Sequence, residues 1–253
     1  MTICVWQHMK GGNLMNNMVC DIHAHIVPGV DDGARNLEMS IAMLRRAYAQ
    51  GVRNIVCTSH SDSNMQKYFQ NLKLLRDQAH KENIDIVLYP GCEIYCGYDP
   101  IEHIINGLNQ YQIPAINGTK YVLIEFSPYA TANLILRDVQ SICNAGYIPI
   151  LAHTERHLGL MMEPKYIPML KEAGCLFQVN AYSLQDTEDT QIKSFARDLL
   201  RQKVVSFIGS DAHRTDHRPY IINNGVDYIR RHCDVEYAKD ICYRNAQQML
   251  NLN

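Results

Sequence analysis

The chain has no long apolar run, no hydrophobic leader and no basic block, and each absence removes a class of function. No run approaches the ~20 apolar residues a membrane-spanning helix needs, so direct membrane insertion is not expected. Residues Met1 to Asn17 lack the apolar core of an export signal, and a cytoplasmic location is expected. A formal net charge of -2 without a Lys/Arg cluster argues against nucleic acid or an anionic membrane surface as the main partner. A glycine-rich phosphate loop of the dinucleotide or Walker type is also missing. None of the nine cysteines has an arginine six positions on, which excludes the phosphate cradle of a thiol-based phosphatase. The odd cysteine count and the placement of most of them in apolar runs read as reduced, buried thiols. Cys92 and Cys96 have the spacing of a zinc pair, but no second pair with finger spacing follows.

What is present is a core. With 253 residues, 47% hydrophobic and 20% charged, the chain suits one large domain better than two small ones. Gly11-Gly12 and Asn16-Asn17 mark residues 1–17 as a flexible extension, and the compact domain is expected over 18–253. Short apolar runs predict strands at Val19–Ile22, Asn54–Thr58, Ile84–Leu88, Tyr121–Phe126, Tyr147–Leu151, Leu176–Val179 and Val204–Ile208. Helical patterns lie between them. Leu37, Ile41, Leu44 and Tyr48 recur at helical spacing and stop at Gly51; Ala145-Gly146 and Ala173-Gly174 repeat that helix, glycine, strand joint. Pro100 and Pro164 sit where a first helical turn tolerates proline, and Val235–Leu250 closes the chain as a helix. Repeated βα units imply an α/β fold with a parallel sheet, and a barrel brings all strand ends to one mouth.

The strand ends carry the chemistry. Asp21-Ile22-His23-Ala24-His25 puts two imidazoles on one face of an extended segment, and Asp31-Asp32-Gly33 follows in a turn. Alone, a His-x-His is weak evidence and Asp-Asp-Gly is an ordinary turn. His60, Glu93, Glu125 and His153 then follow or end successive strands, and Ser210-Asp211-Ala212-His213 repeats acid and imidazole two apart. Each singly is more often a satisfied core histidine or a surface acid; their recurrence at strand ends points to one polymetal site. Mixed nitrogen and oxygen donors without thiolate suit Zn²⁺, Mn²⁺ or Fe²⁺ and a catalytic role. Carboxylates crowded this closely are expected to make the metal-free protein less stable. Arg156 and Arg218 stand beside these ligands, where a guanidinium fork matches phosphate oxygens; the plain alternative is surface pairing with Glu155 or Asp216. His8, His80, His103, His157, His217 and His232 read as ordinary surface histidines.

Six runs carry a resemblance: Asp21 to Val27, Gly29 to Gly33, Gly91 to Tyr95, Ile124 to Ser127, Ala152 to Arg156, and Ser210 to His213 with Arg218-Pro219. In unbroken order from Met18 to the C-terminus, they resemble the bacterial manganese-dependent tyrosine phosphatases of the PHP superfamily. The resemblance implies a single-domain, distorted seven-stranded (β/α)7 barrel holding three divalent ions, most naturally manganese. Its ligands would be His23, His25, Asp32, His60, Glu93, Glu125, His153, Asp211 and His213, with Arg156 and Arg218 binding phosphate. It further implies a phosphotyrosine-containing protein as substrate, typically the tail of a tyrosine kinase controlling capsule or exopolysaccharide synthesis. One departure falls after His60, where relatives often carry basic residues or histidine and this chain reads Ser61-Asp62-Ser63. The extension before Met18 is another.

The expected nucleophile is a metal-activated hydroxide, with charge on the phosphoryl group met by metal and the two arginines. Asp32 or a neighbouring histidine is a candidate proton donor to the phenolate. Two rival readings are a PHP phosphoesterase for a small metabolite such as histidinol phosphate and a metal-binding regulator without catalysis.

Overall fold

The computed structural model describes residues 18–186 and 189–252, so the expected extension at 1–17, with His8, lies outside the described residues. Eight parallel strands form two sheets: β1 (Val19–Ala24), β2 (Val52–Cys57) and β3 (Val87–Pro90) in one, and β4 (Glu93–Cys96), β5 (Tyr121–Phe126), β6 (Ile148–Leu151), β7 (Leu176–Asn180) and β8 (Phe207–Gly209) in the other. Sequence reading expects one strand between Leu75 and Tyr121; two occur, because the run breaks at Gly91 and Cys92, β3 staying with β2 while β4 pairs with β5.

Two strands begin three residues later than expected, for one physical reason. After the helix Met65–Lys81, Asn83 takes φ +54 and the Ile84 amide returns to Ala79 O at 3.0 Å. After Thr190–Arg201, Lys203 takes φ +54 and the Val204 amide returns to Leu199 O at 3.2 Å. Each is a left-handed cap in which the first apolar residue closes the helix instead of opening the strand. Gly146 and Gly174 do the same at the joints that glycine made legible. The helix Leu37–Ala49 is capped by Asn36, whose side chain accepts from the Met39 amide, and it buries Ile41 and Leu44 while Tyr48 stays exposed beneath Arg53. The closing helix is interrupted by a wider turn at Asp240–Arg244.

A compact cluster gathers Cys20 and Ile22 of β1, Val56 of β2, Leu123 of β5, Ile150 of β6 and Phe207 of β8 with Met249 and Leu250 of the last helix. Strands of both sheets feeding one interior means that the sheets curve around it. At both places where they meet, the join is made by residues of interest. The His25 amide donates to Ala212 O and the Asp211 amide to His23 O, while the Glu93 amide donates to Ser59 O and the Ser61 amide to Glu93 O. No described helix is long and apolar enough to cross a membrane.

Candidate metal centre

All nine expected ligands meet in one network. His23 Nε2 and His25 Nε2 are 3.3 Å apart and face the two oxygens of Glu93 at 3.2 and 3.1 Å. His153 Nε2 lies 3.0 Å from Glu93 and 3.5 Å from Glu125, and His60 Nδ1 lies 3.4 Å from each of the same carboxylates. Asp211 Oδ1 stands 3.5 Å from His23, and exposed Asp32 reaches both His60 and His213 at 3.4 Å. Three overlapping sets, His25/Asp32/His60/His213, His23/His25/Glu93 and His60/Glu93/Glu125, each bring their ligand atoms within 4.8 Å of one another.

The donors fit divalent cations. Gln178 Oε1 accepts from the Nδ1 side of His23 at 3.2 Å, and Asp31 Oδ2 accepts from His25 Nδ1 at 2.9 Å. With Nδ1 committed as donor, both Nε2 lone pairs point at the same spot, an arrangement that repels unless a cation or a proton lies between. Burial works against charging His153, but Glu125 and Glu93 hold it up to about 10, and Asp31 and Glu93 likewise hold His25 well above its usual range against the same burial. His213 goes the other way: burial, His25 and Arg218 push it down to about 3, leaving it neutral. Imidazolium favoured in this way would offset part of the carboxylate repulsion expected from sequence, and metal binding to these donors would release protons.

Supporting groups that sequence reading missed set these orientations. Gln178 also accepts from the His153 amide and donates to Asn180 Oδ1, and Asn180 donates to Asp211 Oδ2 at 2.9 Å. This amide chain ties four strand ends together. Its signal was available as two polar residues two apart inside the apolar run Leu176 to Asn180. Asp21 accepts from the amides of His23 and Ser210 and from the Tyr220 hydroxyl. Gly209 runs close beneath: a Cβ there would stand 2.7 Å from His23 Cβ. Asp31→Asn is expected to weaken metal binding roughly 10–100-fold, since it replaces the carboxylate on His25 Nδ1 with a weaker acceptor. Calorimetric metal titration checks this, and an unchanged affinity would remove Asp31 from the site.

His153, Asp211 and Arg218 have φ of +31, +51 and +50, a region non-glycine residues seldom enter. Such strain concentrates where geometry serves chemistry. Arg218 is turned back because His213 N donates to Arg218 O at 3.0 Å; its guanidinium then pairs with Asp211 and donates to His213 Nε2. The alternative pairing with Asp216 is not realised, as Asp216 faces Arg35 instead. Arg156 and Arg218 line one cavity of about 330 Å³ with Tyr182 and Ser210. Ser61 and Asp62 line a separate groove of about 510 Å³ with Tyr95 and Tyr98, which His60 and Glu125 join to the ligand network.

His157 corrects the sequence reading. Instead of a surface residue it is fully buried, its Nε2 3.3 Å from Ala152 O, and burial together with His153 pushes it down to about 3. Six of the cysteines, Cys92 and Cys96 among them, are buried free thiols, while Cys143 and Cys233 are half-exposed.

A parallel α/β scaffold that gathers imidazoles and carboxylates beside an arginine-lined cavity has the donor set of a metal-binding protein. A family profile described as "Capsular polysaccharide synthesis, CpsB/CapC" matches residues 19–251, and the chain belongs to that family. It is 33% identical to the tyrosine-protein phosphatase CpsB of Streptococcus pneumoniae over 240 residues, covering 91% of this chain and 97% of that one. It is 34% identical to the tyrosine-protein phosphatase YwqE of Bacillus subtilis over 242 residues, 91% of each. A crystal structure from work describing YwqE and the pneumococcal CpsB as metal-dependent tyrosine phosphatases superposes with a TM-score of 0.83 at 29% identity, covering 92% of this chain and 94% of that one.

Proposed function

We propose that this chain is a metal-dependent protein-tyrosine phosphatase. The observation that carries the reading is the shared cavity of Arg156 and Arg218 next to the ligand network, Arg218 bonding Asp211 and His213 directly. Relatives named tyrosine-protein phosphatase, matched over nine-tenths of the chain, support it.

In this reading three divalent ions, manganese first, are held by His23, His25, Asp32, His60, Glu93, Glu125, His153, Asp211 and His213. Bound there, they supply Lewis acidity to the phosphoryl oxygens and bring the ionisation of water toward pH 7. The chain's own residues do the rest. Arg156 and Arg218 hold two phosphoryl oxygens and face the charge that spreads over the group in transit. Gln178 and Asp31 fix the imidazoles. As water's oxygen bonds to phosphorus the phenolic P–O bond breaks, and Asp32, exposed between His60 and His213, is the residue we assign to move a proton at the mouth. A phenolate of pKa ~10 leaves with little help, so this proton is secondary.

We read β3 and β4 as one bent strand, which gives the seven positions of a distorted (β/α)7 barrel, with 18–253 as its domain. The substrate in this reading is a cytoplasmic phosphotyrosine protein, the tail of a tyrosine kinase in capsule or exopolysaccharide synthesis. The test is kinetic: with Mn²⁺, kcat/KM on a phosphotyrosyl peptide is expected to exceed that on an alkyl phosphate such as histidinol phosphate by about a hundredfold or more. The opposite preference would establish a small-metabolite phosphoesterase, and metal content without turnover on either substrate would establish a non-catalytic binder.

A further inference from the structure

The mechanism leaves one member of the arginine cavity unused. Tyr182 lies in the short helix Ala181–Leu184 that follows β7, and it lines the cavity between Arg156, Arg218 and Ser210. The Arg156 guanidinium carbon sits 5.0 Å from the centre of its ring. Its hydroxyl oxygen accepts from Asn180 Nδ2 at 3.4 Å, the same nitrogen that donates to Asp211 Oδ2 at 2.9 Å. The hydroxyl therefore stands on the metal side of the cavity.

A phenol has one proton to donate, and here the oxygen is already engaged as an acceptor. Among the described residues no hydrogen bond is donated by the Tyr182 hydroxyl. A phenolic donor on the wall of a cavity that it shares with two guanidinium groups is placed to serve an anion.

We infer that the Tyr182 hydroxyl is a third donor to the bound phosphoryl group, completing the cradle formed by Arg156 and Arg218. The inference rests on the phosphatase reading above. Burial, then the charge of Asp211, push this phenol up to about 12. It keeps its proton across the working pH range, so it serves as a hydrogen-bond donor and not as the acid for a phenolate leaving group of pKa ~10. The ring has a separate job, since the Arg156 guanidinium lies over it.

The experiment uses the manganese-loaded full chain and compares wild type, Tyr182→Phe and Tyr182→Ala. Inorganic phosphate is the calorimetric probe, and a phosphotyrosyl peptide is the substrate. Tyr182→Phe keeps the ring and is expected to weaken phosphate binding and lower kcat/KM by roughly 10–100-fold each, the scale of one hydrogen bond to a charged acceptor. Metal per chain and melting temperature should not change. Tyr182→Ala should lose more, because Arg156 then loses its platform. Equal phosphate affinity and kcat/KM in Tyr182→Phe and wild type would overturn the inference. So would a fall in metal content in Tyr182→Phe, which would show the hydroxyl acting through Asn180 and Asp211. A wild-type protein that neither binds phosphate nor turns over would bring down the phosphatase reading and this inference together; one that binds phosphate isolates the test of Tyr182.

Discussion

Dialysis against a chelator is expected to abolish hydrolysis of a phosphotyrosyl peptide, by at least about a hundredfold, while alkylation of accessible thiols leaves turnover intact. The reaction draws nothing from sulfur: burial raises the thiols of Cys20, Cys57, Cys92, Cys96, Cys175 and Cys242 far above neutral pH. Only half-exposed Cys143 and Cys233, among the described thiols, are open to reagent. In the proposed reading the phosphoryl group meets the bound ions, guanidinium and phenol, and no thiol. Chelation should also lower the melting temperature. A ligand held at a hundred times its Kd stabilises by about 2.7 kcal/mol, which in a chain this size is a shift of roughly 5–10 °C. Imidazolium protons partly replace the cations, so the metal-free chain should still fold. Activity that survives chelation and dies on alkylation would reverse the whole assignment.

Arg218→Ala and Arg156→Ala are each expected to cut kcat/KM by about 10²–10³, the scale for removing one donor aimed at developing charge. The two should differ in what else they lose. Arg218 neutralises the buried carboxylate of Asp211 and bonds His213, so its alanine variant should also bind metal more weakly and melt lower. Arg156 lies over the Tyr182 ring, and Arg156→Ala should keep its metal while its affinity for inorganic phosphate falls. Lysine at position 218 keeps the charge but not the fork, and should recover only a small part of the activity. Full activity in Arg156→Ala, with metal bound, would exclude an anion-binding role for that residue.

The candidate ligand set was largely legible because strand ends in a parallel α/β fold converge, so polar residues that close apolar runs can be gathered without knowing a single distance. His23, His25, His60, Glu93, Glu125, His153, Asp211 and His213 were named that way, while the choice of Asp32 within Asp31-Asp32-Gly33 came only from the family resemblance; all nine lie in one network. The groups that orient them were harder to see. Gln178 and Asn180 stand two apart inside an apolar run, a local signal that does not reveal their partners, and their role depends on β7 lying between β6 and β8. Asp31 differs from Asp32 only by which side chain the turn sends toward His25. Strand starts failed at Ile84 and Val204 because a left-handed Asn or Lys gives no signal comparable to Gly146 or Gly174. His157 was misread because burial of a histidine after a strand end is decided by what packs over it.

By itself, then, the sequence determined the chemistry: which donor atoms stand at strand ends, that no thiol or glycine loop competes for phosphate, and that the chain is rich enough in apolar residues to form one core. Tertiary structure decided the geometry. Only the closing of two curved sheets brings residues 23, 93, 153 and 211 within a few ångströms, and only the backward turn from His213 sets the Arg218 fork on Asp211. Donor type is a property of each residue, whereas convergence, tautomer and protonation arise from partners far apart in the chain.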